Sequence, residues 1–320
     1  MWPGCSLQLV RSRSPDPWFN LAVEEWLLRH AAADSLTVFL YRNAPCVVLG
    51  RNQNPWLECN GAEMRRRGVA LARRISGGGA VYHDPGNANC AVIVPRSHYS
   101  REACLAPVTA ALAALGLQPE VDSRHAIRVA GRKVSGSAFM LTAATALHHG
   151  TMLVDADLDA LAAVLQPPPA DVHTHAIRSV PAAVGNLAAL KPGLTPDAYE
   201  AALVDALRAA WGGADGPAGV TAADMGRRPG FAEIAARHGS PAWILGRTPA
   251  FAQRVRMMDD GREVAVVLHV REGVVESAVD VLTGDEAAGR RRWPGLVGKP
   301  YNDVGEAGPF PQPQSHPPSA

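Results

Sequence analysis

The sequence is short of several things. Its 320 residues contain no apolar run of about 18, so nothing in it reads as a membrane-spanning helix. It has almost no net charge: 31 Lys and Arg against 30 Asp and Glu leave +1, which offers no global attraction for nucleic acid or an anionic membrane. The basic triplets at 65–67 and 290–292 therefore read as solvated helix faces. Cysteine is scarce. The five, at 5, 46, 59, 90 and 104, show no Cys-x-x-Cys spacing, and Cys46 and Cys90 sit in apolar runs as small core residues. That pattern fits a reducing compartment and no zinc ribbon. Histidines 125, 148, 149 and 173 lack ligand spacing too. No P-loop is present, nor a Gly-x-Gly-x-x-Gly that opens a helix. Ser76 and Ser135 have no neighbours that read as a triad.

What is present is ample core-forming material, 47% hydrophobic against 19% charged residues. Asp16-Pro17 ahead of 18–30 supplies an N-cap and a first-turn proline, so a helix starts there. Residues 36–41 and 46–49 read as two strands of a hairpin turning at Asn43-Ala-Pro45. A helix is expected over 56–66, closed by Gly68, and then a strand over 69–75. Further strands are expected at 91–94, within 124–140 and at 147–154, and helices at 102–115, 157–165, 195–211 and 231–238. Asp155 and Asp157 precede a helix and read as caps rather than a catalytic pair. Past Pro241 two β-rich runs, 263–270 and 274–282, form a hairpin around Arg271-Glu-Gly273, with a helix over 285–291 to follow. The strand and helix order is that of an α+β protein.

The chain is organised around Arg73-Arg-Ile-Ser-Gly-Gly-Gly-Ala-Val-Tyr-His-Asp-Pro-Gly-Asn87. Three glycines inside an apolar, strand-like region give the sheet nothing to pack. They make sense where another backbone or a ligand comes very close. Two adjacent arginines suggest that the ligand is anionic, with glycine N–H groups cradling the same charge. A second stretch, Gly131-Arg-Lys-Val-Ser-Gly-Ser-Ala138, places Lys133 among small residues that leave room beside it. His148 and His149 are adjacent, so on a strand they face opposite ways.

Together these two stretches resemble the lipoate–protein ligase A and lipoyltransferase family. Asn20-Leu-Ala-Val-Glu-Glu25, Gly50-Arg-Asn-Gln-Asn-Pro-Trp56, His148-His-Gly-Thr151 and Trp243-x-x-Gly-x-Thr248-Pro-x-Phe251 fit in the same order, so the resemblance spans about 16–300. Gln53-Asn-Pro-Trp-x-Glu-Cys-Asn60 is most similar to animal mitochondrial lipoyltransferases. The implied fold is a biotin/lipoate ligase-like α+β catalytic domain, related to class II tRNA synthetase cores, with a small α+β C-terminal domain. The expected division is an N-terminal segment 1–15, a catalytic domain 16–238, a C-terminal domain 239–304 and a disordered tail 305–320.

The resemblance implies that lipoyl is transferred from lipoyl-AMP, or from lipoylated glycine-cleavage H protein, to a lysine on the lipoyl domains of 2-oxoacid dehydrogenase E2 subunits. Lys133 would be the catalytic residue, touching the acyl carbonyl and the adenylate phosphate. Arg74, Ser76, Gly77, Gly78, Gly79, Tyr82, His83, Arg124 and Thr151 would join it around lipoyl-AMP. His83, Asp84 and His149 are the candidates by position for the general base. No tightly bound cofactor and no metal are expected. ATP and Mg2+ enter only under the alternative of a complete ligase that also activates free lipoate. A third reading is a non-enzymatic lipoyl-domain-binding protein, which would be expected to lack Lys133 or a glycine. His173-Thr-His-Ala-Ile-Arg178 departs from the Gly-Ile-Thr type of segment in bacterial members. A monomer is expected. Mitochondrial location follows from the resemblance only: residues 1–15 hold Arg11, Arg13 and no acid, but they are few and proline-interrupted.

Overall fold

The computed structural model describes residues 6–32, 35–212, 216–284, 289, 292–293, 295–304 and 310–311. The chain opens with β1 (Ser6–Ser12), α1 (Pro17–His30), β2 (Ser35–Tyr41), β3 (Cys46–Leu49), α2 (Pro55–Glu58), α3 (Gly61–Arg67) and β4 (Ala70–Arg73). Next come β5 (Val81–His83), β6 (Asn87–Pro95), α4 (Arg101–Ala114), β7 (Pro119–Val121), β8 (Ile127–Val129), β9 (Arg132–Ser135), β10 (Ser137–Leu141) and β11 (Thr145–Leu153). Then follow α5 (Leu158–Val164), β12 (Asp171–Thr174), α6 (Leu187–Leu190), α7 (Pro196–Trp211), β13 (Ala218–Val220), α8 (Ala222–Gly226), α9 (Phe231–His238) and α10 (Pro241–Ile244). The last strands are β14 (Phe251–Asp259), β15 (Arg262–Arg271) and β16 (Val274–Asp280).

The main sheet runs β10-β11-β6-β2-β1-β13 and is mixed: β2, β1 and β13 are parallel, the others antiparallel. Both faces of β2 are buried. Val38 and Leu40 face α4 and α7, in a cluster with Leu105, Leu112, Leu203 and Leu207. Phe39 and Tyr41 face the opposite way, toward α1 and the small sheet β4-β3-β5, with Val23, Val47 and Leu71. This alternation is what a strand between two layers requires.

Local signals behave as their chemistry dictates. The Asp16 carboxylate accepts from the amides of Trp18 (2.8 Å) and Phe19 (3.2 Å), and Pro17 opens α1. Gly68 ends α3 in the left-handed region at φ 66°. Asp157 caps α5 through the Ala160 amide.

Four expectations need correction. First, β2 and β3 form no hairpin; β3 pairs with β4 and β5, because the Asn43 side chain is drawn inward, where it meets Asn20 and His83. Second, the helix expected over 56–66 is two helices, broken where the Asn60 side chain caps α3 at Glu63. Third, residues 6–12, expected to lie in an N-terminal segment outside the catalytic domain, form a strand within its main sheet, β1. Fourth, the boundary at 238/239 does not separate two cores. The sheet β12-β14-β15-β16 takes a strand from 171–174, and one cluster runs from Phe19 to Tyr301. Within the tail, Phe310 is buried beside Trp56, its amide held by the Asn302 side chain at 2.7 Å. The rest of that tail, most of the helix expected over 285–291, and residues 1–5 lie outside the described residues.

Candidate active site

The two motifs meet across a cavity of about 380 Å3. One wall is the loop between β4 and β5. Gly78 takes φ +91°, where a side chain would be strained. A Cβ on Gly79 would come within 2.9 Å of Ser179 Oγ, and one on Gly50 would collide with the Gly78 carbonyl oxygen. Gly77 has open space around the Cβ position, so protein packing does not demand a glycine there.

Arg74 holds this loop from behind. Its Nη2 donates to the carbonyls of Gly77 (2.6 Å) and Gly79 (2.8 Å), Nη1 to Val48 O (3.1 Å) and Nε to Ser76 Oγ (3.0 Å). With those carbonyls turned toward Arg74, the amides of Gly77, Gly78 and Gly79 have no acceptor among the described residues. Arg73 is fully buried and bonded elsewhere, to the carbonyls of Gly50, Gln53 and Ile244 and to Thr248 Oγ1. The paired cations thus build the loop. Arg74 lines the cavity with most of its donors engaged, and Arg73 ties β4 to the residues after α10.

Behind the loop lies a relay that local spacing concealed. Glu24 Oε1 accepts from His149 Nδ1 (2.8 Å), and Ser76 Oγ lies 2.6 Å from His149 Nε2. With the carboxylate as acceptor, Nδ1 carries the proton, Nε2 accepts from the Ser76 hydroxyl, and Ser76 Oγ accepts from Arg74 Nε. This is a Ser-His-Glu arrangement, contrary to the expectation that Ser76 has none. Its serine is fully buried and does not line the cavity, so it is a structural relay rather than an exposed nucleophile.

The opposite wall carries Lys133 on β9. Its main chain is pinned on both sides, Lys133 N to Ala183 O (2.9 Å) and Gly185 N to Lys133 O (3.1 Å). The ammonium has no hydrogen-bond or ion-pair partner among the described residues. It sits over Gly136, where a Cβ would lie 3.3 Å from Nζ. Burial lowers its pKa, Asp122 opposes that shift, and Arg128 and Arg124 reinforce it. A desolvated, unpaired cation in a cleft is a marker of a working group.

Arg124, His83 and Thr151 also line the cavity, and Thr151 Oγ1 accepts from the Gly136 amide at 3.3 Å. Tyr82 does not. On β5 its neighbours Val81 and His83 face the cavity, so alternation turns Tyr82 into the core. Ser76, which is buried, and Gly77, which is exposed, do not line the cavity. The segment 173–178 stood out in the sequence only as a departure from the bacterial pattern; the structure places residues 177–182 along the cavity as a strap. Ser179 Oγ accepts from the Ala80 amide (2.9 Å) and Gln53 Nε2 (3.0 Å), and Glu58 holds Arg178 and the Ser179 amide. Tyr41, Val48 and Asn89 also line the cavity without having been singled out, their only signal being membership of buried strands, as does Leu21, which lay within a quoted motif but was given no role.

None of the three candidates is poised as a general base. Both Asp84 oxygens accept from backbone amides, of Gly86 (2.8 Å) and Asp157 (2.7 Å). Both His149 nitrogens are engaged in the relay. Burial, with Arg74 and His149 adding to it, pushes His83 down to about 3, and its Nδ1 is occupied by Asn43. Cys59 and Cys104 are buried, and burial pushes both thiols up, that of Cys104 to about 12, so neither is an activated nucleophile. Among the described residues no group of three or more His, Cys, Asp and Glu could hold a metal ion.

Fold and site together define a biotin/lipoate ligase-like α+β catalytic domain. The family model of the lipoyl protein ligase A/B catalytic domain matches residues 16–208, and the chain belongs to that family, as a transferase or ligase of protein lipoylation. Solved structures agree on the fold. LipL1 of P. falciparum in complex with lipoate is similar at 24% identity and a TM-score of 0.68, over 85% of this chain and 84% of that one. A lipoate-protein ligase A bound with ATP is similar at 24% identity and a TM-score of 0.61, over 75% of this chain and 98% of that one. The ligase from a bipartite system of Thermoplasma acidophilum, described with its E2 lipoyl domain, is similar at 23% identity and a TM-score of 0.60, over 75% of this chain and 96% of that one.

Proposed function

We propose that this protein transfers a lipoyl group to the acceptor lysine of a lipoyl domain. The observation that carries the reading is the Lys133 ammonium, unpartnered among the described residues, in the same cavity as Gly78 and Gly79, whose amides have no acceptor among them. An acyl-adenylate in that cavity has its carbonyl and phosphate within a field of cations: Lys133, Arg124 and Arg128. The acceptor amine attacks the acyl carbonyl. A C–N bond forms, the C–O bond to phosphate breaks, and AMP leaves with the electron pair while the amine gives up a proton. Lys133 stabilises both the oxyanion and the departing phosphate, charges that grow in the transition state.

The partners in this reading are lipoyl domains of 2-oxoacid dehydrogenase E2 subunits and the glycine-cleavage H protein, in the manner of the animal mitochondrial lipoyltransferases. The donor is lipoyl-AMP or the lipoylated H protein, the protein works as a monomer, and the location is the mitochondrion. The similar ligase bound with ATP keeps a second reading in view, activation of free lipoate with ATP and Mg2+. One experiment separates them. An apo lipoyl domain is incubated with the protein and lipoyl-AMP, with lipoate, ATP and Mg2+, or with lipoylated H protein, and its mass is read. Modification with lipoyl-AMP or H protein alone supports the transferase. Modification with lipoate and ATP makes it a ligase, and no modification in any arm refutes both. Lys133→Ala is expected to silence every productive arm.

A further inference from the structure

We propose that His83 determines which acyl chain the cavity accepts: its Nε2–H favours a chain bearing a hydrogen-bond acceptor, the dithiolane sulfurs of lipoyl, over a plain saturated chain of the same length. This rests on the acyl-transfer reading above and refines it.

The argument begins with a chain of side-chain amides. Asn20 Nδ2 donates to the carbonyls of Ser14 (2.9 Å) and Arg42 (3.3 Å) and to Asn43 Oδ1 (2.8 Å). Because two of those partners are carbonyls, the orientation of the Asn20 amide is fixed. Asn43 Oδ1 is therefore the acceptor, and Asn43 Nδ2 is the donor that lies 2.9 Å from His83 Nδ1. A donor facing Nδ1 requires a lone pair there, which puts the imidazole proton on Nε2. The depressed pKa of His83, at about 3, keeps the ring neutral at physiological pH and preserves this tautomer.

That Nε2–H is buried and has no partner among the described residues, while the ring forms part of the cavity wall. Among the other buried polar side-chain atoms lining the cavity, Ser137 Oγ also has no partner among the described residues, whereas Tyr41, Asn89 and His149 are satisfied within the protein. The Tyr41 hydroxyl donates to Glu24, the Asn89 amide bonds to Tyr41 O and Asn87, and His149 is bonded at both nitrogens. Leu21, Val48 and Ala138 supply the apolar remainder. The His83 Nε2–H is thus an orphan donor beside a largely satisfied, apolar surface. An unpaired buried donor is costly, and a ligand that pairs it gains accordingly. A saturated chain leaves it unpaired. A chain with sulfur at its far end brings an acceptor, a weak one. Sites built with a buried polar group discriminate against ligands that leave it unmatched.

The test compares lipoyl-AMP with octanoyl-AMP, which differ at the sulfurs, as donors to an apo lipoyl domain. The wild-type protein is expected to favour lipoyl-AMP by about fivefold or more in kcat/KM. His83→Leu should bring the ratio to within about twofold of unity, and His83→Gln, which offers an amide N–H in place of the imidazole one, should keep a preference. Asn43→Asp places an acceptor against Nδ1, moves the proton off Nε2, and should also erode the ratio. Equal rates for the wild type, or an unchanged ratio in both His83→Leu and Asn43→Asp, would overturn the proposal. Calorimetric binding of the two adenylates to the wild type is read in parallel. If neither acyl group is transferred, the transfer reading fails, and the two affinities still judge His83: a tighter lipoyl-AMP supports its role and equal affinities refute it.

Discussion

The Oγ of Ser76 lies 2.6 Å from Nε2 of His149, although 73 positions separate them in the chain. Through that one hydroxyl the Glu24–His149 pair is joined to Arg74, and through Arg74 to the carbonyls of Gly77 and Gly79. Ser76→Ala removes the joint and leaves two buried polar atoms, His149 Nε2 and Arg74 Nε, without it. The expected cost is about 1–3 kcal/mol of stability, measured by urea unfolding. Acyl transfer should fall further than stability alone explains, because the loop is free to turn its carbonyls into the cavity. A variant with wild-type kcat/KM would show that the relay does not position the loop.

Gly136→Ala tests the other wall. The new Cβ would stand 3.3 Å from both Cε and Nζ of Lys133. Lys133 is flexible and bonded to nothing through its side chain, so the chain accommodates the methyl by moving the ammonium. Stability should change by less than about 1 kcal/mol, while kcat drops by about tenfold, the scale expected when a charge is moved off a developing oxyanion. Lys133→Arg should be nearly as inactive as Lys133→Ala, since a guanidinium is planar and larger than the point charge it replaces.

Gly50→Ala is expected to behave oppositely. Its Cβ would strike the carbonyl oxygen of Gly78, an atom of the backbone that cannot rotate away. Thermal unfolding should occur several degrees lower, consistent with about 2–4 kcal/mol of overpacking strain, and activity should be lost with it. A soluble, fully active Gly50→Ala would refute the close approach of these two backbones.

The contrast among these glycines shows what was legible in the sequence. The two motifs were readable because each packs its chemistry into consecutive residues, and the structure places Arg74, Gly78, Gly79, His83, Arg124, Lys133 and Thr151 around one cavity. Gly50 was legible only as part of a phrase, since its partner lies 28 residues on. The misreadings share one cause. Asn43-Ala-Pro45 has turn chemistry, but the pairing of β3 with β4 and β5 depends on residues elsewhere in the chain. Residues 6–12 alternate only over Ser6-Leu-Gln-Leu9, a short signal beside Arg11 and Arg13, and β1 takes its place because β2 and β13 pair with it on either side. Tyr82 was placed at the ligand because it lies within a motif, and strand alternation sends it to the core. The arginine pair suggested anion binding, and the partners that engage both side chains come from three separate segments.

Acid sensitivity should begin above the carboxylate range. Burial pushes His83 down to about 3 and His148 down to about 4, in each case from an ordinary value of 6.5. Below pH 6.5 the unfolded chain binds these two protons and the folded one does not, so stability must fall as pH falls. The loss runs from pH 6.5 to about 4 for His148 and to about 3 for His83. Between pH 6 and 4 the slope from this pair is about 2–3 kcal/mol per pH unit. Glu25 adds a second, lower window. Burial raises its pKa, but hydrogen bonds and charge from His238 and Arg237 outweigh that and hold it at about 2 against an ordinary 4.5. Its contribution is complete above pH 4.5 and is lost as pH falls toward 2. Urea unfolding at intervals from pH 8 to pH 4 reads the first window. His148→Asn is expected to reduce the slope there by about one proton, and Glu25→Gln to leave that slope unchanged while lowering stability throughout. A stability profile flat from pH 7 to pH 5 would contradict the neutral, buried state of both histidines.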